Sequence, residues 1–159
     1  MGRALEKWMK QTAPVSAAAS AMLNLIAAAS QVEYGLEQIL LPYGITRRQY
    51  NVLRILRGVY PNGHPRTEVA NRMVDRAPDV TRLIDRLIEL GFVERIKGKV
   101  DKRESIAHLT ERGFELMKEL DPLVRNYIEE TFGGLFSEEE CLQLSELCER
   151  TYGQKTDGR

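Results

Sequence analysis

Cysteine is scarce in this 159-residue chain, which contains only Cys141 and Cys148. If both residues lie on one helix, their spacing corresponds to about 10 Å of rise, which is too far for a disulfide between them. The disulfide framework of a small secreted protein is therefore excluded, and a reduced, cytoplasmic protein is expected.

Long hydrophobic runs are also missing. The longest run, Ala17 to Ala29, is interrupted by Ser20 and Asn24 and falls short of the roughly 20 residues that a membrane-spanning helix needs. The N-terminal residues MGRALEKWMK are charged and amphipathic, which argues against a signal peptide. We therefore expect no membrane partner.

The sequence lacks the motifs of common enzymes. It contains no glycine-rich phosphate loop, no HExxH and no spacing typical of a Ser-His-Asp or Cys-His site. A zinc site would need more ligands than His64 and His108, which lie far apart in the sequence. We therefore expect a protein that is not an enzyme and that holds no metal or other cofactor.

An excess of charge of one sign is missing too, because 23 basic residues balance 23 acidic residues. The whole molecule has no general attraction for nucleic acid, so such binding would need a local concentration of charge. Gly91 to Arg103 contains five basic and two acidic residues, whereas Asn126 to Glu149 contains seven glutamates and no Lys or Arg. One part of the fold is expected to attract phosphates and another to repel them.

The sequence does contain a succession of helical patterns. Apolar and small residues from Val15 to about Leu41 predict a long helix with more than one apolar face. Small side chains such as Ala17 and Ala21 permit close helix approach, so we expect this helix to contact its own chain and a second subunit. The alternative is a helix wholly buried within a monomer. Pro42 and Gly44 end the helix.

Two shorter segments follow. Thr46 and Gln49 form a capping-box pattern that begins a helix. The buried positions of this helix are expected at Tyr50, Leu53 and Leu56. Pro61 to Pro65 predicts a turn, and the next helix is predicted from Thr67, as its N-cap, to about Val74. The inward positions of that helix are expected at Val69, Ala70 and Met73.

The stretch from Pro78 to Gly91, PDVTRLIDRLIELG, predicts an amphipathic helix. Its apolar half comprises Val80, Leu83, Ile84, Leu87, Ile88 and Leu90. Its polar half comprises Asp79, Thr81, Arg82, Asp85, Arg86 and Glu89. Pro78 suits an opening turn and Gly91 suits the residue just past the helix end. Because Ala77 is a poor cap, the N-cap is either Asp75 or absent.

A β-hairpin is predicted after this helix. Phe92 to Ile96, after Phe92, and Ser105 to Leu109 are interpreted as alternating apolar and polar residues, and the basic turn KGKVDKRE lies between them. Two short helices followed by such a hairpin are typical of a winged helix-turn-helix, here with cations on the second helix and on the wing.

The rest of the chain is predicted to be helical. Thr110 caps a long helix that ends at Gly133 and Gly134, and Ser137 with Glu140 begins a last helix. The inward positions of the last helix are expected at Cys141, Leu144, Leu147 and Cys148. The expected fold class is therefore mainly α with a small β-hairpin wing.

Three motifs carry a resemblance to a known family: VTRLIDRLIELGFVER, the DKR of Asp101 to Arg103, and LTERG from Leu109 to Gly113. In this order and spacing they resemble the MarR family of bacterial transcriptional regulators, and the likeness runs from about Val15 to Leu147. It implies a homodimer whose terminal helices intertwine and whose winged helices read a pseudo-palindromic operator. We accordingly expect a dimerisation region at residues 1–43 and 110–152, a DNA-binding domain at 44–109 and a disordered tail at 153–159.

The resemblance also implies roles in the wing. In such regulators the Arg of the D-x-R motif approaches the minor groove and the Asp helps to hold the wing, which implies these roles for Arg103 and Asp101. A guanidinium at a hairpin tip also suits the negative potential of a narrow minor groove. Phosphate contacts are expected from Lys97, Lys99 and Lys102.

Further candidates for DNA binding are Asp79, Thr81, Arg82 and Arg86 on the second helix, and Arg72 and Arg76 before it. Arg82 or Arg86 is suited to a bidentate contact with guanine in the major groove. The alternative is that each arginine pairs along the helix with Asp79, Asp85 or Glu89.

The family resemblance implies a cleft that binds small aromatic or anionic effectors. Tyr34, Tyr50 and Arg54 are the candidates, and core packing is the alternative for both tyrosines. The expected function is a ligand-responsive transcriptional repressor. The alternative is a winged helix that mediates protein association and has no specific operator.

Overall fold

The computed structural model describes residues 15–74, 79–97 and 105–153. The helices in these ranges are α1 (Ala17–Leu40), α2 (Arg47–Arg57), α3 (Arg66–Arg72), α4 (Val80–Glu89), α5 (Glu111–Ile128) and α6 (Glu138–Tyr152). The strands are β1 (His64–Pro65), β2 (Val93–Lys97) and β3 (Ser105–Leu109). A 3-10 turn, Leu41–Tyr43, follows α1, and a π-helical turn, Glu129–Gly133, follows α5. The predicted fold class, mainly α with a small hairpin, is confirmed.

The sheet has one more strand than the sequence predicts. Strands β2 and β3 pair in antiparallel register from Val93 opposite Leu109 to Lys97 opposite Ser105. On the other edge of β3, His64 pairs with Ala107 and Pro65 with Ile106, which gives the strand order β1-β3-β2. The turn residues Pro61 to Pro65 concealed this two-residue strand, because a strand so short has no detectable alternation.

The predicted side-chain caps are present at three helices. The Thr46 hydroxyl accepts from the Gln49 amide at 3.3 Å, and the Gln49 side chain accepts from the Thr46 amide at 2.8 Å. Ser137 and Glu140 form the same reciprocal box at the start of α6, and the hydrogen bond from the Ser137 amide lowers the pKa of Glu140. Thr110 caps α5. Local sequence therefore determines where these helices begin.

The predicted start of α3 was wrong. Thr67 lies within the helix, which begins at Arg66 directly after Pro65 and has no side-chain cap. Because β1 runs straight into α3, the position before the helix belongs to the sheet and holds a proline. Val69 faces the core as predicted, but Ala70 is exposed.

The core lies beneath the helix-turn-helix and the first half of α5. Helix α2 contributes Val52, Leu53 and Leu56, all fully buried. The other elements around them contribute Val69, Ile84, Leu87, Val93, Leu109, Met117 and Leu120. The apolar positions predicted at periods of three and four therefore meet in one cluster.

Two polar contacts join α5 to the N-terminal half of the chain. The Tyr127 hydroxyl donates to the Val32 carbonyl oxygen of α1 at 2.9 Å. Arg57, at the end of α2, forms a half-buried ion pair with Asp121 in the middle of α5. The helix-turn-helix is thus connected to the long helix that follows it.

Helices α1 and α6 leave apolar side chains uncovered. Leu40 is the buried residue of α1, whereas Met22 and Ile26 are 57% and 59% exposed. The alternative of an α1 wholly buried within one chain is therefore wrong. In α6 no residue is buried, and Leu147 is 55% exposed.

The predicted inward face of α6 does not pack on this chain's core. Leu144 is exposed like Leu147, and Cys141 and Cys148 are only partly covered and remain free thiols. A helical period identifies an apolar face but cannot tell which molecule covers it.

Gly113 offers a direct test of the packing between α5 and the turn before β2. A β-carbon here would lie 2.2 Å from the Phe92 carbonyl oxygen, a backbone atom. We expect Gly113→Ala to lower the free energy of unfolding by about 1–3 kcal/mol, as typical of overpacking, measured by urea denaturation. The matched control is Gly58→Ala, where the nearest atom would be 3.5 Å away and φ is −59°. Equal losses in the two variants would contradict this account.

Candidate nucleic-acid interface

Helix α4 begins at a cap that the sequence did not identify. Asp79 is the N-cap, and its Oδ1 accepts from the Arg82 amide at 3.1 Å. The expectation that the cap is Asp75 or absent was therefore wrong, because a carboxylate one residue beyond Pro78 satisfies the free amide. Pro78 itself lies outside the described residues, as do Asp75 and Arg76.

The C-terminal end of α4 turns sharply into the sheet. Gly91 has φ +75°, a left-handed conformation that glycine adopts without strain. Its amide donates to the Ile88 carbonyl at 2.9 Å, and the Phe92 amide donates to the Leu87 carbonyl at 3.0 Å. These paired bonds form a Schellman motif, which confirms the predicted position of Gly91 just past the helix.

The two faces of α4 are separated as predicted. Val80, Ile84 and Leu87 are buried, and Leu83, Ile88 and Leu90 pack partly against the same core. On the opposite face Arg82 and Arg86 are exposed and Thr81 is half-covered. The burial of one face therefore presents the other to solvent.

Both arginines on this face form ion pairs along the helix. Arg82 Nε lies 2.9 Å from Asp79 Oδ2, and Arg86 Nη1 lies 2.7 Å from Glu89 Oε2. These are the pairs that the sequence offered as the alternative to base contacts. The Arg82 side chain is 88% exposed, and such surface pairs contribute only about 0–1 kcal/mol. A phosphate or a base edge can therefore compete for either guanidinium.

Helix α3 places Arg72 at its last position. Arg72 Nε lies 2.6 Å from Glu68 Oε1, again in an exposed pair. The segment after α3 is held to α2 by the Val74 amide, which donates to Asn51 Oδ1 at 3.1 Å. Before α3, burial lowers the pKa of His64, and Arg72 lowers it further.

The wing is described only at its base. Lys97 contributes its backbone to β2, opposite Ser105 of β3. The remaining predicted wing residues, Lys99, Asp101, Lys102 and Arg103, lie outside the described residues.

An ion pair that the sequence analysis missed joins the wing to α4. Arg95 Nη2 of β2 lies 2.6 Å from Asp85 Oδ1 of α4. The sequence showed Asp85 only as a possible partner for arginines on its own helix. No local pattern indicates a partner ten positions away across a turn.

A cleft of about 420 Å³ lies beside α4. Its lining includes Arg66, Thr67, Thr81, Arg95 and Ser105, from α3, α4 and both hairpin strands. Arg66 was not among the predicted site residues. It is an exposed cation at the first position of α3, and the misplaced helix start concealed it.

The three candidate effector residues have different environments. Tyr50 is buried in the core, and this burial raises its pKa, while nearby Arg54 acts in the opposite direction. Tyr34 on α1 is 61% exposed, and Arg54 is exposed on α2. Tyr50 thus has the core-packing role offered as the alternative, and Tyr34 does not.

Residues 15–74, 79–97 and 105–153 contain neither a metal-binding cluster nor a membrane-spanning helix. No group of three or more His, Cys, Asp or Glu side chains is placed to hold a metal ion. No helix in these ranges combines the length and hydrophobicity needed to cross a membrane.

Comparison with known proteins gives a family match that covers the helix-turn-helix and the wing as far as the first residue of β3. The model of the MarR family matches residues 45–105. YkoM and YwoH, two uncharacterised HTH-type transcriptional regulators of Bacillus subtilis, are 30% and 33% identical to this chain over 99 residues. Each match covers 62% of this chain. The matches span 62% of YkoM, which is less than two thirds of its length, and 70% of YwoH.

Solved structures share the fold over most of the chain. A MarR transcription factor from Planctomyces limnophilus is 35% identical, with a TM-score of 0.66 over 85% of this chain and 99% of that one. Sco3205 from Streptomyces coelicolor, a MarR family regulator solved in complex with DNA, is 22% identical, with a TM-score of 0.78 over 89% of each chain. CouR from Rhodococcus jostii RHA1, solved bound to p-coumaroyl-CoA, is 25% identical, with a TM-score of 0.67 over 79% of this chain and 86% of that one.

The amphipathic α4, the adjoining hairpin, the family model and the relatives lead to one conclusion. The chain belongs to the MarR family of transcriptional regulators, which are DNA-binding transcription factors and not enzymes.

Proposed function

We propose that this regulator binds a pseudo-palindromic DNA operator as a homodimer and reads its sequence with α4. The single observation that carries the proposal is the exposed polar face of α4 beside a hairpin whose turn is rich in cations. A helix of this diameter fits the major groove, and a hairpin extending beside it reaches the neighbouring groove.

Base reading is assigned to the polar face of α4. Arg82 and Arg86 donate to O6 and N7 of guanine, and Thr81 contacts an adjacent base edge. Each arginine exchanges its exposed carboxylate partner for the base. Asp79 contributes to base reading indirectly. Its carboxylate caps α4 and also pairs with the Arg82 side chain, so it orients Arg82.

Contacts with the DNA backbone and the minor groove are assigned to other cations. Arg103 enters the minor groove, and Asp101 holds the wing that carries it. Lys97, Lys99, Lys102, Arg72 and Arg76 contact phosphates. Each neutralised phosphate steepens the dependence of log affinity on log salt concentration by about 0.9.

The dimer is assigned to residues 1–43 and 110–152, with 44–109 as the DNA-binding domain. The tail predicted at 153–159 lies, except for Gly153, outside the described residues, as do residues 1–14. The support is the exposed apolar surface of α1 and α6, because such surface on a long helix usually marks an interaction site. The distribution of charge agrees with this arrangement. The glutamates between Asn126 and Glu149 would be repelled by DNA, so this region faces away from the operator.

We assign to this protein the role of a cytoplasmic repressor. Its regulation is assigned to a small aromatic or anionic effector, whose binding releases the protein from DNA. The p-coumaroyl-CoA bound to CouR supports an effector of this chemistry. Tyr34 and Arg54 are the candidate residues for contact with the effector, whereas the buried Tyr50 would affect effector binding through core packing. The measurement is the fraction of protein released from the operator by small phenolic and carboxylate compounds.

Base reading and phosphate contacts predict different consequences of mutation. After genomic fragments bound by the protein have been selected, we expect Arg82→Ala to relax preference at one base pair by about 1–3 kcal/mol. We expect Lys99→Ala to weaken all duplexes alike and to reduce the salt slope by about 0.9. Both effects can be measured by fluorescence anisotropy across a salt series.

A matched control is Arg125→Ala, which removes an exposed arginine from α5 and should change neither quantity. Equal effects of Arg82→Ala and Lys99→Ala would rule out the proposed division of roles. If the wild-type protein binds selected fragments and random duplex with the same affinity, the alternative of a protein-association module gains support.

The dimer predicts a specific effect at α6. Leu147→Glu adds a charge to an exposed position, so the fold of one chain should survive while the interface is lost. We expect light scattering to report twice the 18.1 kDa chain mass for the wild type and the single mass for the variant. Val74→Glu is the control, since Val74 is 85% exposed but lies in the helix-turn-helix. A wild-type monomer at micromolar concentration would contradict the proposal.

A further inference from the structure

The ion pair between Asp85 and Arg95 differs from the other ion pairs of α4 in the described part of the chain. Arg82 and Arg86 pair with acidic residues three positions away, at the cap or on the same helix. Asp85 Oδ1 instead lies 2.6 Å from Arg95 Nη2 on β2, beyond the turn at Gly91. This pair therefore links two elements that contact different parts of the DNA in the proposed function.

The position of Arg95 suits it to control the angle of the wing. Val93, two residues earlier on the same face of β2, is buried in the core. Arg95 lies about 7 Å further towards the wing tip and pairs across the sheet with Ala107 of β3. Val93 thus holds the base of the wing, and the ion pair holds a second point along the strand. Because β2 is attached at two points, its direction relative to α4 is fixed, which a single attachment would not achieve.

The ion pair also affects the net charge of the surface that the polar side of α4 presents. The polar side of α4 and its cap carry three carboxylates, Asp79, Asp85 and Glu89, against two guanidiniums, Arg82 and Arg86. Taken alone, this helix would present a net charge of −1 to a polyanion. Arg95 brings the surface to neutrality because its guanidinium lies against the Asp85 carboxylate.

We propose that Asp85 and Arg95 are positioning residues for DNA binding, whose ion pair holds the wing at the angle to α4 that lets both contact the operator together. The inference rests on the proposed function for its DNA consequence, but the coupling of wing to helix is a property of the free protein. Both side chains are more than two-fifths exposed, so the pair adds little to folding stability and acts on orientation.

The decisive variant is the double substitution Asp85→Asn with Arg95→Gln, which removes the ion pair and leaves the net charge unchanged. In the free protein, we expect amide hydrogen exchange across Val93–Lys97 and Ser105–Leu109 to rise by about threefold or more. Exchange in α2 and the midpoint of thermal unfolding should stay at wild-type values. This measurement needs no DNA.

On DNA, the same variant should bind the selected operator about fivefold more weakly, although its net charge equals that of the wild type. Binding to random duplex should change by less than about twofold, since it relies on phosphate attraction. Hydroxyl-radical protection of the sugars along the minor groove, where the wing is proposed to lie, should weaken.

Two further variants complete the test. Asp85→Arg with Arg95→Asp restores an ion pair of opposite direction and should recover operator affinity and amide protection to within about twofold of wild type. Glu115→Gln with Lys118→Gln removes an exposed pair from α5 and should change neither.

Unchanged amide exchange in the Asp85→Asn, Arg95→Gln variant would overturn the inference, and so would wild-type operator affinity and footprint. An affinity loss that the reversed pair fails to rescue would also overturn it. If amide exchange rises while the wild-type protein shows no preference for any operator, the coupling of wing to helix stands and the proposed function fails.

Discussion

Burial of the apolar face of α4 is the constraint on which the rest of the structure depends. Val80, Ile84 and Leu87 are buried, and each such side chain contributes about 1.5–3 kcal/mol relative to exposure. The exposed ion pairs on the other face contribute about 0–1 kcal/mol each. The packing of the apolar face therefore sets the rotation of α4 about its axis. The polar face is exposed to solvent because the apolar face is held against the core.

The junction around Gly91 carries this orientation into the rest of the fold. The Thr110 hydroxyl donates to the Gly91 carbonyl at 2.8 Å and accepts from the Gly113 amide at 3.0 Å, while the Thr110 amide donates to the Phe92 carbonyl at 3.0 Å. One residue thus caps α5 and joins it to the turn that leaves α4. Helix α5 in turn contacts α1 through Tyr127 and α2 through Asp121. These contacts connect α4 to the long helices α5 and α1.

Much of this arrangement follows from local sequence. The capping residues Thr46, Thr110 and Ser137 and the position of Gly91 were predicted where they lie, because each depends on neighbours within four or five positions. The two hairpin strands were predicted to within one residue, because their residue pattern and the basic turn between them are visible in the sequence. Two of the errors occurred where distant segments intervene. Strand β1 exists only because β3 lies beside it, and its presence moved the start of α3 away from Thr67. The last helix has an apolar face, but its sequence could not show that this chain leaves it uncovered.

The same division applies to the candidate site. The sequence by itself determined which residues share the polar face of α4 and which segment concentrates cations, because helical period and composition are local properties. The Asp79 cap is also a local contact, and it was missed because the helix was expected to open at Pro78. Only the tertiary structure decided that Arg66 borders the cleft and that Asp85 pairs with Arg95 on the wing. The physical reason is that an ion pair or a cleft between elements depends on how their buried faces pack, and that packing is set by the whole core.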